Sequence, residues 1–197
     1  MPKNSMSSTL LGPNDFVVMP WKNGNGSTTE LICEQALDGS GFLWRLSIAS
    51  VVEDGFFSDF GGYERTLILL SGNGLTLDHE KQARLINRYE FCEFSGGSKT
   101  HATLHDGPIT DFNIMCREGR FRARPPKIVG DEKIEVVCDA EHQFFYAAET
   151  GCSWSVEGSE QETMQIGSLL HVGTSTVESI WVTGPGLICI QVVAISA

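Results

Sequence analysis

Apolar and polar residues alternate along this chain in short runs, and glycine repeatedly breaks them. The runs fall at residues 16–19, 28–33, 42–49, 66–70, 75–77, 89–94 and 111–115, then at 134–138, 144–148, 152–156, 169–172, 177–182 and 187–195. They are rich in β-branched, aromatic and aliphatic residues, and no segment sustains a helical period over three turns. Short runs of this kind, with turn signals between them, predict strands, and many in series predict a barrel or sandwich. The expected fold class is all-β.

Two turns organise the series. Ser71-Gly72-Asn73-Gly74 separates two apolar runs, and Asn-Gly predicts a hairpin because both residues tolerate positive φ. Glu149-Thr150-Gly151 has the same role later. Gly74 and Gly151 stand 77 positions apart, as do Gly96 and Gly173, and the same offset carries Phe112 onto Cys189. This is a repeat of strand and turn rhythm with little side-chain identity, and it predicts two copies of one β-module. Arg124-Pro125-Pro126-Lys127 reads as the linker, since Pro-Pro cannot continue a sheet ladder. The expected division is a first module over residues 1–124 and a mainly structural second module over 125–197. Asp111 and Asn113 share a strand face in the first copy, whereas the late strand of the second copy is mostly apolar. A polar pair on a barrel strand is costly unless satisfied or used, so the pocket is expected in the first module.

Charge narrows the partners. The 197-residue chain has a formal net charge of −11, which disfavours sequence-independent binding to nucleic acid. Arg117, Arg120, Arg122, Arg124 and Lys127 form the one basic stretch, and a solvated edge strand accounts for it better than a polyanion site. No run is long and apolar enough to span a membrane, and Met1 to Ser8 lacks the apolar stretch of a signal peptide. A cytoplasmic location is expected. The six cysteines are scattered without a CxxC pair, which fits reduced, buried thiols.

Three clusters carry candidate chemistry. In the first, Trp21, Lys22 and Asn23 sit in a glycine-rich segment leading into a strand with Glu30. It reads either as a ligand lip, with indole to stack and Lys and Asn for an anionic or amide group, or as a turn plugged by Trp21. In the second, Arg45 and Ser47 share one face of an apolar strand. An Arg there needs a ligand carboxylate or an internal partner such as Glu30, Glu64 or Asp111. In the third, Arg65 opens the strand before the Asn-Gly turn, facing either the barrel mouth or the rim. No serine-nucleophile elbow, phosphate loop or dinucleotide fingerprint occurs.

Taken in order, Trp21-Lys22-Asn23-Gly24, Ser27-Thr28-Thr29-Glu30, Trp44-Arg45-Leu46-Ser47-Ile48-Ala49, Asp54-Gly55-Phe56-Phe57-Ser58, Arg65-Thr66-Leu67, Leu70-Ser71-Gly72, Asp106-Gly107-Pro108 and Asp111-Phe112-Asn113-Ile114-Met115 resemble the HutD/Ves family. The resemblance covers about the first 120 positions and is only general beyond the Pro-Pro segment. It implies two cupin-like β-barrel modules, a bicupin of the RmlC-like jelly-roll type. It also implies a small pathway acid such as formylglutamate as ligand, with a regulatory role in histidine utilisation for HutD members and a stress role for Ves members. No cofactor is expected. The usual cupin metal site needs a His-x-His pair, and His79, His101, His105, His142 and His171 form none, so no metal is expected either. The expected ligand-binding set is Trp21, Lys22, Asn23, Glu30, Arg45, Ser47, Arg65, Asp111 and Asn113, holding a small carboxylate. An alternative is an isomerase or hydrolase acting on a small acid, with Asp111 or Glu30 as general base beside an Arg. The edge run 187–195 could pair two subunits, which makes a homodimer the expected assembly.

Overall fold

A computed structural model describes residues 8–21, 24, 26–79, 81–173 and 178–196. Among them the chain forms strands almost throughout, and the one helical segment is the 3-10 turn Pro13–Asp15. No helix is long and apolar enough to cross a membrane. The chain divides into two compact units, residues 16–122 with 195–197, and residues 1–15 with 123–194.

The unit of residues 16–122 contains two antiparallel sheets. In order of neighbours, the larger runs Val17–Pro20, Gly26–Gln35, Phe42–Val51, Ile109–Arg117, Tyr63–Ser71 and Phe91–Ser95. The smaller runs Gly55–Phe56, His101–Leu104, Leu75–Asp78 and Ala83–Leu85. Ala49, Val51, Leu67, Leu69 and Ile109 from the larger sheet meet Leu75, Leu77, Leu85 and Ala102 from the smaller in one buried cluster. Each buried leucine contributes about 1.5–3 kcal/mol relative to exposure, so this cluster is what holds the sheets together.

The other unit repeats the arrangement. Its larger sheet sets Ser8–Leu11 beside Leu169–Gly173, then His142–Ala147, then Leu187–Ala194, which also pairs with Lys127–Val129. Its smaller sheet runs Ile134–Val137, Ser179–Thr183, Ser153–Val156 and Glu162–Thr163. Phe145, Ala147, Cys152, Trp154, Leu170, Val172, Ile180, Val182 and Leu187 belong to its core.

Several expectations change. The Asn-Gly turn does not close a hairpin. Tyr63–Ser71 and Leu75–Asp78 lie in different sheets, and the turn carries the chain from one to the other. Its glycines are needed there: Gly72 and Gly74 have φ of 96° and 107°, and a Cβ would stand 2.6 Å from the Pro108 carbonyl oxygen and 2.5 Å from that of Leu85. Glu149-Thr150-Gly151 likewise joins strands of two sheets. The segment after Pro126 is not a free linker, because Lys127–Val129 pairs with Leu187–Ala194. Ser8–Leu11 pairs with Leu169–Gly173 and so stands with residues 123–194, not with the module expected over 1–124.

The repeat also has a parity that the 77-residue offset hides. Asp111 stands opposite Leu69 and Asn113 opposite Leu67, while Leu187 stands opposite Ala147 and Cys189 opposite Phe145. Leu67 and Leu69 face one core, and Phe145 and Ala147 face the other. The inward counterparts of Asp111 and Asn113 are therefore Leu187 and Cys189, a spacing of 76. An odd offset would turn each side chain to the opposite face of its strand.

Candidate functional site

A cavity of about 520 Å³ opens among the strands of the unit formed by residues 16–122. Its apolar wall comes from Met19, Trp21, Phe56, Phe57, Phe60 and Met115, and its polar lining includes Thr28, Arg45, Ser47, Arg65 and Asn113. Strand register explains the convergence. Met115 stands opposite Arg45 on one neighbouring strand and opposite Arg65 on the other. The two arginines thus project from one face at one level of the sheet, with Cα atoms roughly 10 Å apart from two inter-strand spacings. One step along, Asn113 stands opposite Ser47, and Ser47 opposite Glu30.

Arg65 is 7% exposed. Its guanidinium lies over the Phe57 ring at 4.4 Å and the Phe94 ring at 5.3 Å, a cation–π setting in which an arginine tolerates burial. Its Nε donates to Asn113 Oδ1 at 2.7 Å. Asn113 in turn donates from Nδ2 to Asp111 Oδ1. Asp111 is fully buried, and its Oδ2 has no hydrogen-bond partner among the described residues. Burial pushes the Asp111 carboxyl up to about 6, partly opposed by the Arg65 charge and the Asn113 hydrogen bond. Burial pulls Arg65 down to about 10, with Asp111 opposing that change. Arg65 therefore stays a cation at neutral pH.

Arg45 is held differently. Its Nε lies 2.8 Å from Glu30 Oε2, and both side chains are partly exposed. Among the described residues neither Arg45 nor Arg65 spends its terminal nitrogens on another side chain, and both line the cavity. At the rim, Trp21 Nε1 donates to Thr28 Oγ1 at 2.8 Å. The indole packs where Gly26 leaves room: a Cβ on Gly26 would fall 3.0 Å from the ring and 2.2 Å from the Ser50 carbonyl oxygen. The aromatic segment 56–60 is tied down by Phe57 N donating to the Thr100 carbonyl and Phe60 N donating to that of Gly96, both at 2.9 Å.

The structure gathers Trp21, Arg45, Ser47, Arg65 and Asn113 of the expected set onto the cavity lining. Glu30 and Asp111 do not line it; Glu30 pairs in charge with the lining Arg45, and Asp111 orients the lining Asn113. Lys22 and Asn23 lie outside the described residues. The apolar members Met19, Phe56, Phe57, Phe60 and Met115 were not in that set, because an aromatic or methionine in a strand run looks the same whether it fills a core or walls a cavity. Among the described residues no group of three or more His, Cys, Asp or Glu stands together to hold a metal ion. His101 packs edge-on against Phe56, His105 Nε2 lies 2.8 Å from Thr76 Oγ1, and neither lines the cavity.

Comparison with known proteins places this geometry in a family. The model of the family described as HutD matches residues 13–189. The chain belongs to the HutD family. A Pseudomonas putida protein described as lying in the hutC 3' region is 34% identical over 164 residues, 83% of this chain and 85% of that one. Protein Ves of Citrobacter koseri is 38% identical over 106 residues, about half of each chain. The solved structure of HutD from Pseudomonas fluorescens SBW25, titled as a formate condition, superposes with a TM-score of 0.82 at 32% identity, covering 96% of this chain and all of that one. More distant likeness, such as that to a bacterial pirin from Escherichia coli with a TM-score of 0.65 at 9% identity over 96% of this chain and all of that one, shows a cupin-like β fold.

Proposed function

We propose that this HutD-family chain binds a small carboxylic acid in the cavity of residues 16–122 and serves as a ligand-responsive regulator in histidine utilisation, with formylglutamate as the leading ligand. The observation that supports the site is the pair of guanidiniums flanking Met115. Arg65 has its Nε held by Asn113 Oδ1, which fixes its plane, while Arg45 is paired in charge with Glu30; in both the terminal nitrogens are left for the cavity. A guanidinium whose position is set in advance loses little freedom on binding, and its planar fork matches a carboxylate in two hydrogen bonds. Burial of the Arg65 charge is offset in part by the two aromatic rings and Asp111, and a bound carboxylate would offset it further. The two arginines, about two strand spacings apart, suit an acid with two carboxylates on a short aliphatic stem, the stem lying against Met115 and the phenylalanines. The histidine-pathway setting is supported by the HutD membership and by the description of the Pseudomonas putida relative. The unit containing residues 123–194, with a corresponding central strand order and apolar Leu187 and Cys189 in place of the acid and amide, is proposed to be the structural module of a two-module cupin.

The test is thermal unfolding against formylglutamate, glutamate, urocanate, imidazolepropionate and simple dicarboxylates. A ligand at about a hundred times its dissociation constant stabilises the native state by roughly 2.7 kcal/mol. A selective shift of several degrees with a dicarboxylate is expected. No shift with any acid overturns the reading.

A further inference from the structure

Among the described residues, Asp111 is a charged group whose burial the site so far leaves unexplained. It is fully buried, and one carboxylate oxygen has no hydrogen-bond partner among the described residues. It does not line the cavity, yet it is wired to it. Asp111 Oδ1 accepts from Asn113 Nδ2, which turns the amide so that Asn113 Oδ1 meets Arg65 Nε at 2.7 Å. Asp111 is thus a positioning residue for Arg65, and the Arg65 cation is the charge that keeps Asp111 ionised.

We propose that binding of an anion at Arg65 is coupled to uptake of a proton by Asp111, so that the site takes its ligand together with H⁺. This rests on the carboxylate-site reading above. The reasoning is electrostatic. In the free protein, Asp111 and Arg65 offset each other's charge in a low-dielectric layer. An incoming carboxylate places a negative charge on the cavity side of the Arg65 guanidinium, which offsets the field that favours the Asp111 carboxylate and so favours its protonated form. The unpartnered Oδ2 is where the proton goes, and no hydrogen bond must break to admit it. A protonated Asp111 still accepts from Asn113 at Oδ1, so Arg65 keeps its orientation.

Among the described residues no second carboxylate faces Asp111; His79, stacked on the Phe94 ring that also packs on Arg65, has a buried Nε2 without a partner and is the group that Asp111→Asn must separate from Asp111. Across the strands it faces Ala49 and Leu69. The core beside it is supplied by Leu75, Leu77 and Ala102 from the smaller sheet. Arg65 is its charged neighbour. Cys92, on the strand beyond, is pushed by burial up to about 12 and stays a neutral thiol. Arg45 and Glu30 form their own ion pair.

The experiment is isothermal titration calorimetry with N-formylglutamate, whose acid groups are both ionised above about pH 5.5. It is run between pH 5.5 and 8 in PIPES and in imidazole, buffers of low and high ionisation enthalpy. Coupling predicts net proton uptake at neutral pH, and an affinity that falls as pH rises, about tenfold for each pH unit by which the ligand lifts the Asp111 titration. Asp111→Asn, which mimics the protonated acid, is expected to bind with a pH-independent affinity and no proton exchange. Binding by the wild type with no proton uptake and a flat pH profile overturns the coupling but leaves the site standing. Uptake that persists in Asp111→Asn assigns the proton elsewhere and also overturns it. No binding heat at any pH removes the carboxylate site and this inference with it. Should Asp111→Asn fail to fold, Asp111→Leu takes its place, and proton uptake that persists on binding to it overturns the coupling.

Discussion

Arg65 and Gln143 hold equivalent places in two sheets that share a central order, Phe91–Ser95, Tyr63–Ser71, Ile109–Arg117 and Phe42–Val51 in one and Leu169–Gly173, His142–Ala147, Leu187–Ala194 and Lys127–Val129 in the other, and they spend their polar groups in opposite ways. Gln143 faces Gln191 across its strand pair, as Arg65 faces Met115. Gln143 Oε1 accepts from Gln191 Nε2 at 2.8 Å, and Gln143 Nε2 donates to the Ala140 carbonyl at 3.2 Å. Arg124 then closes the group, donating to Gln191 Oε1 at 3.0 Å and to Asp139 Oδ1 at 2.6 Å. That network satisfies itself. Around Arg65 the network stops one step short: Asn113 and Asp111 fix the guanidinium from behind, and its outer nitrogens are left to the cavity. The lesson is that two copies of one strand plan diverge in function through which polar groups remain unspent, more than through which are present.

The largest test of this difference removes the unspent cation. Arg65→Ala is expected to weaken carboxylate binding by roughly 30-fold or more, about 2 kcal/mol at least, and to abolish the thermal shift. Gln143→Ala is expected to lower the melting temperature while leaving the ligand-induced shift intact. Equal losses of the shift in both variants would erase the distinction.

Next in size is the buried acid. The Asp111 carboxyl titrates at about 6 in the fold, against an ordinary value of 3.8. A raised value means stability that is fully present below about pH 3.8 and is lost as pH rises through about 6. Asp111→Leu, which installs the residue type of position 187, is expected to be more stable than the wild type in urea at pH 7.5, with the advantage shrinking toward pH 4. A constant advantage across that range would mean the acid carries no net cost in the fold.

The other unit has the opposite slope. Burial and the adjacent His142 pull His171 down to about 4 from 6.5. A depressed histidine contributes stability that is present above about pH 6.5 and lost as pH falls toward 4. The effect is smaller, because the ring is partly solvated and screened. Hydrogen exchange read by segment should therefore show Leu169–Gly173 losing protection from pH 7 to 4.5, and Ile109–Arg117 gaining it. Parallel trends would sink the contrast. The smallest effect is at the rim: Trp21→Phe removes the hydrogen bond to Thr28 and should cost about 1 kcal/mol by denaturant unfolding.

The long strands were legible because each carries a run of β-forming residues with a turn signal after it, as in Phe42–Val51 and Ile109–Arg117. Gly55–Phe56, Ala83–Leu85, His101–Leu104 and Glu162–Thr163 were not, being too short or too polar for alternation to register. The arginines could be picked out because a cation in an apolar strand is conspicuous. Their partners could not be chosen among Glu30, Glu64 and Asp111, since that choice depends on register between strands far apart in sequence. The charge pairing of Glu30 and the positioning role of Asp111 were hidden for the same reason. The parity of the repeat was hidden because Ile188 and Ile190 are as apolar and as buried as Leu187 and Cys189, so the strand shows no alternation to read.

That parity sets a rule for exchanging segments between the halves. A chimera that transplants Leu187–Ala194 into the place of Ile109–Arg117 at the 77-residue spacing of the glycines would bring Ile188 and Ile190 inward at positions 111 and 113, turning the donor strand inside out. The same graft shifted by one residue would bring Leu187, Cys189 and Gln191 to positions 111, 113 and 115 with their native facing. Any recombination of the two halves must therefore be cut in the turns, where a residue can be gained or lost, and never within a strand.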